Sequence, residues 1–169
     1  MQKSIMSLYL FIISGTAISI FVIGVFVAPV IFAHEQFLHI ALFNRFEAGL
    51  LMTKIFQRFN IILAICGLII AAIEGTALVQ KRTSKAVVIF AALSVVEIAA
   101  FLLYFTPMII SMQAQGETTL TTVDFSNIHN LAELDFKAML MTLTGLAFLR
   151  FSRAVKDNPC GCEEEEEKK

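Results

Sequence analysis

The stretch APVIFAHEQFLHIALFNRFEAGLLMTKIFQRF (residues 28–59) interrupts what is otherwise one apolar sequence, and its reading sets the layout of the chain on either side. A long apolar run precedes it, and Pro29 has no N–H to donate and crowds the carbonyl one turn earlier, so a helix passing through it is expected to kink. Three ionisable residues then fall within six positions (His34, Glu35, His39), followed by Asn44, Arg45 and Glu47 among Phe37, Leu38, Phe43 and Phe46. Neither bilayer core nor bulk water suits that mixture. The headgroup boundary does, because apolar bodies and polar tips are both satisfied there. The stretch is therefore read as a short, partly helical connector over residues 34–54, lying along the membrane surface between the first and second spans.

Composition agrees. The chain has 169 residues, 57% hydrophobic and 16% charged, with a mean hydropathy of +0.78, which no ordinary soluble globule shows. The net charge is −1; the last seven residues, five Glu and two Lys, carry −3, so the body carries −1 − (−3) = +2. Neither sign is strong enough to imply a nucleic-acid partner. The lipid bilayer is the implied partner, with a second copy of the chain or another membrane protein as a further expectation. Cys66 lies inside an apolar run, and Cys160 and Cys162 flank one glycine near the end; this pattern does not predict a disulfide framework.

Four spans follow, at about residues 5–33, 55–79, 86–112 and 131–151, each at or above the roughly 20 residues needed to cross a core of about 30 Å. The first is too long for the apolar core of a signal peptide, typically about 7 to 15 residues, and is expected to stay as an anchor. Residues 1–156 form the membrane domain, and 157–169 a disordered acidic cytoplasmic tail. The fold class is all-α, a polytopic four-helix bundle. In the second span Gly67, Ala71 and Gly75 recur every four residues, a small-residue stripe expected to be a packing face. Glu74 beside that stripe is expected to reach for the headgroups near Lys81. Residues 80–85 (QKRTSK) form a tight turn, and residues 113–130 a polar loop.

Glu97 is different, lying about 18 Å along the helix from Lys85 and so near mid-membrane. Lys137, thirteen residues before Arg150, lies at a matching depth of about 20 Å. The two are expected to pair, since a lone charge there costs roughly 2.5 to 3.5 kcal/mol; Glu133, four residues before Lys137, competes for the lysine. Lys3, Lys81, Arg82, Lys85, Arg150, Arg153 and Lys156 gather on one side and outnumber Arg45, Lys54, Arg58 and Lys137. Both termini are thus expected in the cytoplasm.

FVAPVIF (residues 26–32), the pair Ala48-Gly49, the pair Ile55-Phe56, and FSNIHNLAEL around His129 together resemble the transmembrane protein 205-like family, the last run through its F-x-x-x-H stretch. The resemblance spans nearly the whole four-helix layout. It implies that fold and transfers no catalytic residue. The sequence departs from the family in having no Trp, in Ala132, and in Asp135 and Lys137 within the last helix.

Chemistry is limited to a few groups. Glu35 and His39, and His129 and Glu133, are spaced four apart, which places each pair on one helix face. Imidazole plus carboxylate suits a borderline divalent metal, so convergence of the two pairs would make a metal site; haem ligation by two of His34, His39 and His129 is a weaker alternative. No phosphate-binding loop, nucleophile elbow or H-E-x-x-H motif is present. The expectation is an integral membrane protein that handles a small solute or ion through intramembrane carboxylates, with no resident cofactor. The alternatives are a non-enzymatic assembly protein and a metal- or haem-binding bundle.

Overall fold

The computed structural model describes residues 2–33, 40 and 43–156, and within these every regular element is helical. Four helices are long and apolar enough to cross a membrane: α1 (Ser4–Phe32), α2 (Arg45–Val79), α3 (Lys85–Gln113) and α4 (Val123–Lys156). They run up and down in sequence order. Among the described residues, α1 packs on α2 and α4, and α3 packs on the same two, so α2 and α4 face each other across the bundle. The acidic segment 157–169, with Cys160 and Cys162, lies outside the described residues, as do His34, Glu35 and His39.

The helix ends differ from expectation at two places. The connector expected over residues 34–54 gives way at Arg45, where α2 already begins. The reason is a capping box: Asn44 Oδ1 accepts from the Glu47 N–H at 2.8 Å, and Glu47 Oε2 accepts from the Asn44 N–H at 2.9 Å. Two donors that a helix start leaves without intrahelical partners are thereby satisfied. The polar loop expected over residues 113–130 shrinks likewise. Gly116, at φ +102°, ends α3, a 3-10 turn covers Glu117–Thr121, and the Thr122 hydroxyl accepts from the Phe125 N–H at 3.3 Å, so α4 starts at Val123. Asn44→Ala is expected to cost about 1 kcal/mol of stability, detectable as a lower unfolding midpoint with amide exchange accelerated at residues 45–48.

At the opposite end the turn between α2 and α3 is closed by backbone bonds from Lys81 N–H to Leu78 O and from Arg82 N–H to Ala77 O, with Lys81 at φ +55°. This is a Schellman-type stop. Ser84 then caps α3 at the Val87 N–H. The turn, Arg150 and Lys156 share one end of the bundle, called here the basic end; Pro29, Pro107 and His129 share the other.

Both prolines within the spans are tolerated by the same device. A π-helical segment, Ile23–Val27 in α1 and Phe101–Phe105 in α3, precedes each, and the N–H donors of Ala28 and Thr106 reach back five residues to Ile23 O and Phe101 O. A π-turn carries one residue more than α-helix geometry wants; here that extra residue precedes a proline that would otherwise crowd the preceding turn. The kink expected at Pro29 thus takes the form of a π-turn. Beyond it, Ala28–Phe32 packs on α2, whereas Gln2–Val22 packs mainly on α4 and more sparsely on α2.

The core runs along the bundle axis through Ile13, Ile20, Leu63, Cys66, Ile70, Ala91, Ile98, Met139, Leu143 and Leu146, while Phe11, Leu68, Leu103 and Met141 face outward. An apolar exterior of this kind suits a lipid solvent. Two glycines permit close approach. A Cβ on Gly67 would meet Ile98 Cγ2 at 3.1 Å, and one on Gly145 would meet Phe90 Cε1 at 2.3 Å. Gly75 faces open space and Ala71 is exposed, so the expected packing stripe is used within the bundle only at Gly67. Gly145→Ala is expected to destabilise by about 1 to 3 kcal/mol through overpacking, although alanine favours a helix interior by up to about 1 kcal/mol. Phe90→Leu on the Gly145→Ala background should restore most of the loss in a detergent unfolding titration.

Candidate ligand cavity and the polar groups of the bundle

Three sets of polar groups centre on Glu74, Glu97 and Glu133, beside an Asn60 amide that donates to the Thr106 hydroxyl at 3.1 Å between α2 and α3. At the basic end, Glu74 on α2 receives the Tyr9 hydroxyl of α1 at 2.6 Å and the Arg150 Nε of α4 at 2.8 Å on Oε1, while Arg150 Nη2 binds Oε2. All three residues are buried, Glu74 to 5% exposure and Arg150 to 6%. The expectation for Glu74 is therefore corrected. It does not reach out toward Lys81; it turns inward, because a planar guanidinium offers it two parallel donors. This pair crosses the bundle between two helices that are not packed side by side, and it closes the interior at that end.

At mid-span, Glu97 Oε2 accepts the Thr142 hydroxyl at 2.5 Å. Asp135, one helical repeat before Thr142 on α4, carries a buried Oδ2 with no hydrogen-bond partner among the described residues, and the Glu97 carboxylate lies within its electrostatic range. The third set is Lys137, whose ammonium donates to Glu133 Oε1 at 2.6 Å along α4, with 69% and 54% of the two side chains exposed. The expected Glu97–Lys137 ion pair does not form. Glu97 meets α4 at Thr142, five residues beyond Lys137, and Lys137 sits on the exposed side of α4, where the competing Glu133 is one turn away.

Beyond Glu97, toward the proline end, the four helices surround a cavity of about 410 Å³. Its depth is mostly apolar, formed by Ile20 and Gly24 of α1, Met52 and Phe56 of α2, Phe101 of α3, and Phe136 and Leu140 of α4, with Thr53 and Thr106 as the hydroxyl residues on its α2 and α3 walls. Phe136 stands at the centre of an aromatic cluster, with ring centroids 5.2 Å from Phe56, 5.4 Å from Phe101 and 6.3 Å from Phe59. The rim divides by chemistry. Exposed Phe21, Val25 and Phe32 form it on α1; exposed His129, Glu133 and Lys137, at four-residue intervals, form it on α4. The cavity opens between α1 and α4 because α1 leaves α4 at its π-turn and leans on α2.

Of the residues expected to hold a metal, His129 and Glu133 meet at this rim. Glu133 is occupied by Lys137, and His129 stacks on Phe125 at 5.9 Å. Among the described residues no group of three ligand side chains converges. Glu35 and His39 lie outside the described residues. Sequence reasoning did not single out Tyr9, Thr142 or Phe136, nor the pairing role of Arg150. The helical phase placing Phe136 and Met139 on the buried face of α4 was available as a signal; the partner of Glu74 was not, since Arg150 read simply as a flanking cation.

The architecture defines the class, a multi-pass membrane protein built as a four-helix bundle with a cavity among its helices. The chain belongs to the family described as Domain of unknown function (DUF4149), whose model matches residues 11–118. That match takes in α2, α3 and most of α1, three of the four cavity walls, and stops short of the α4 rim. No curated protein and no solved structure matches the chain.

Proposed function

We propose that this protein handles a small membrane-borne solute, and that the solute occupies the cavity among the four helices. The observation that carries the reading is the cavity itself. At about 410 Å³ it falls within the span of roughly 300 to 1,000 Å³ typical of small-molecule sites, and it combines an apolar interior with a few convergent polar groups, as such sites do. Glu97 and Glu74 are not among its walls. The reading accordingly moves the working surface from the intramembrane carboxylates to the aromatic pocket and its α4 rim. The likeness to the transmembrane protein 205-like family and the placement of both termini in the cytoplasm belong to the same proposal. Orientation is supported by Lys81, Arg82, Lys85, Arg150, Arg153 and Lys156 at the basic end.

Gly24→Leu is the direct test. A Cβ at Gly24 would lie 4.0 Å from Phe136 Cε1, so leucine fills the cavity from one wall. Organic extracts of wild type, purified in mild detergent, are expected to contain a lipophilic compound in stoichiometric amount, and extracts of a folded Gly24→Leu variant to lack it. Equal content in the two proteins would reject the cavity as the binding site. A second reading, self-association, is favoured by Ala71 and Gly75 on the exposed side of α2; cross-linking of Gly75→Cys in bilayers would detect a paired copy.

A further inference from the structure

The rim of the cavity constrains the head group of whatever enters it. All of its charge comes from one face of α4, and that charge is self-compensating: the Lys137 ammonium and the Glu133 carboxylate are joined at 2.6 Å. An anionic head would be drawn to Lys137 and repelled by Glu133 within the same few ångströms, and a cationic head the reverse. The rim nonetheless keeps much hydrogen-bonding capacity. Lys137 has three donors and spends one on Glu133, Glu133 Oε2 has no side-chain partner among the described residues, and the exposed His129 ring offers a donor and an acceptor when neutral. A head that both donates and accepts, without net charge, satisfies all of these. Opposite them, Phe21, Val25 and Phe32 offer nothing polar, and the Thr53 and Thr106 hydroxyls of the other walls are engaged with Gly49 O and Asn60, so the head binds best on the α4 side while its chain turns inward over Gly24 toward Phe56, Phe101 and Phe136. The cavity has room for one chain and not for the two chains of a phospholipid.

We infer that the ligand class is a single-chain amphiphile with an uncharged, hydroxyl-bearing head of the monoacylglycerol type, entering from the bilayer between α1 and α4. This rests on the cavity being a ligand site, as proposed above. The chain contains no tryptophan, which makes a single reporter possible. The full-length protein carrying Phe136→Trp, or Phe56→Trp should the first misfold, is placed in nanodiscs of unbrominated phosphatidylcholine. It is then titrated with three probes sharing one brominated chain: a monoacylglycerol, a fatty acid and an alkylammonium. Leu68→Trp, on the lipid-facing side of α2, reports non-specific partitioning.

The monoacylglycerol should quench the cavity reporter saturably, with half-saturation about tenfold lower than either charged probe, and Leu68→Trp should show only a linear response. Glu133→Gln leaves Lys137 uncompensated and should shift the preference about three- to fivefold toward the fatty acid. Tighter binding of either charged probe to the parent reporter overturns the head-group assignment and leaves the cavity reading standing. No saturable quenching by any probe, in a folded reporter, overturns both.

Discussion

Arg150→Met is expected to destabilise the folded bundle by about 3 to 5 kcal/mol, because it strips the buried Glu74 carboxylate of its charge partner and leaves only the Tyr9 hydroxyl against it. Glu74→Leu should do comparable damage by stranding the guanidinium. The joint variant Glu74→Leu/Arg150→Met should recover most of either loss, since two charges withdrawn together leave no unpaired ion inside the bundle. Unfolding titrations of the four proteins in one micelle system give the coupling energy. A double variant as unstable as either single one would mean that the pair does more than compensate charge, for instance by holding Tyr9 and α1 in register. Tyr9→Phe, which removes one donor to Glu74 and leaves Arg150 in place, should cost about 1.5 to 3 kcal/mol, less than Arg150→Met.

The second large effect is expected at Phe136→Ala, at about 3 kcal/mol or more. In lipid, helix association draws on van der Waals packing rather than on transfer of apolar surface from water, so the loss comes from contacts with Phe56, Phe59 and Phe101. Each edge-on aromatic pair contributes roughly 0.5 to 1.5 kcal/mol beyond its buried area. Phe136→Leu should retain roughly half of the stabilisation. Because Phe136 also lines the cavity, the alanine variant should enlarge the site and weaken retention of the bound compound, which separates it from Arg150→Met, a change at the far end of the bundle. Equal stability of Phe136→Ala and wild type would remove the aromatic cluster from the account of the fold.

The four spans were legible because uninterrupted apolar runs of this length have few other uses. Helix boundaries were less so. At α2 the Asn44-x-x-Glu47 spacing is a capping signature open to sequence reading, yet the surrounding His, Glu and Phe residues drew the stretch toward an interfacial connector. Glu97 shows a different limit. Counting rise along a helix gives one coordinate, and the partner is decided by rotation about the helix axis and by which helix stands beside it; Thr142 meets Glu97, and Lys137 pairs with Glu133. Glu74 and Arg150 lie 76 residues apart in sequence, on helices that face each other across the bundle. A pairing across the middle of a bundle leaves no periodic trace in either helix.

The paired π-turns make α1 and α3 unusual in how they should respond to changes in length. In a plain membrane helix, loss of one residue turns everything beyond it by about 100° and exchanges the faces it shows to neighbours and to lipid. Within Ile23–Val27 and Phe101–Phe105 one residue is already surplus to the α-helical count, so its removal shortens the helix while Ala28, Pro29 and Phe32, or Thr106 and Ile109, keep their bearings on the cavity. The cost is confined to the proline, which regains the crowding that the wider turn relieved. These two five-residue windows are thus the places in the spans where natural insertions and deletions should accumulate without relining the cavity. When sequences of unequal length are set side by side, a gap belongs in one of these windows before it belongs anywhere else in the bundle.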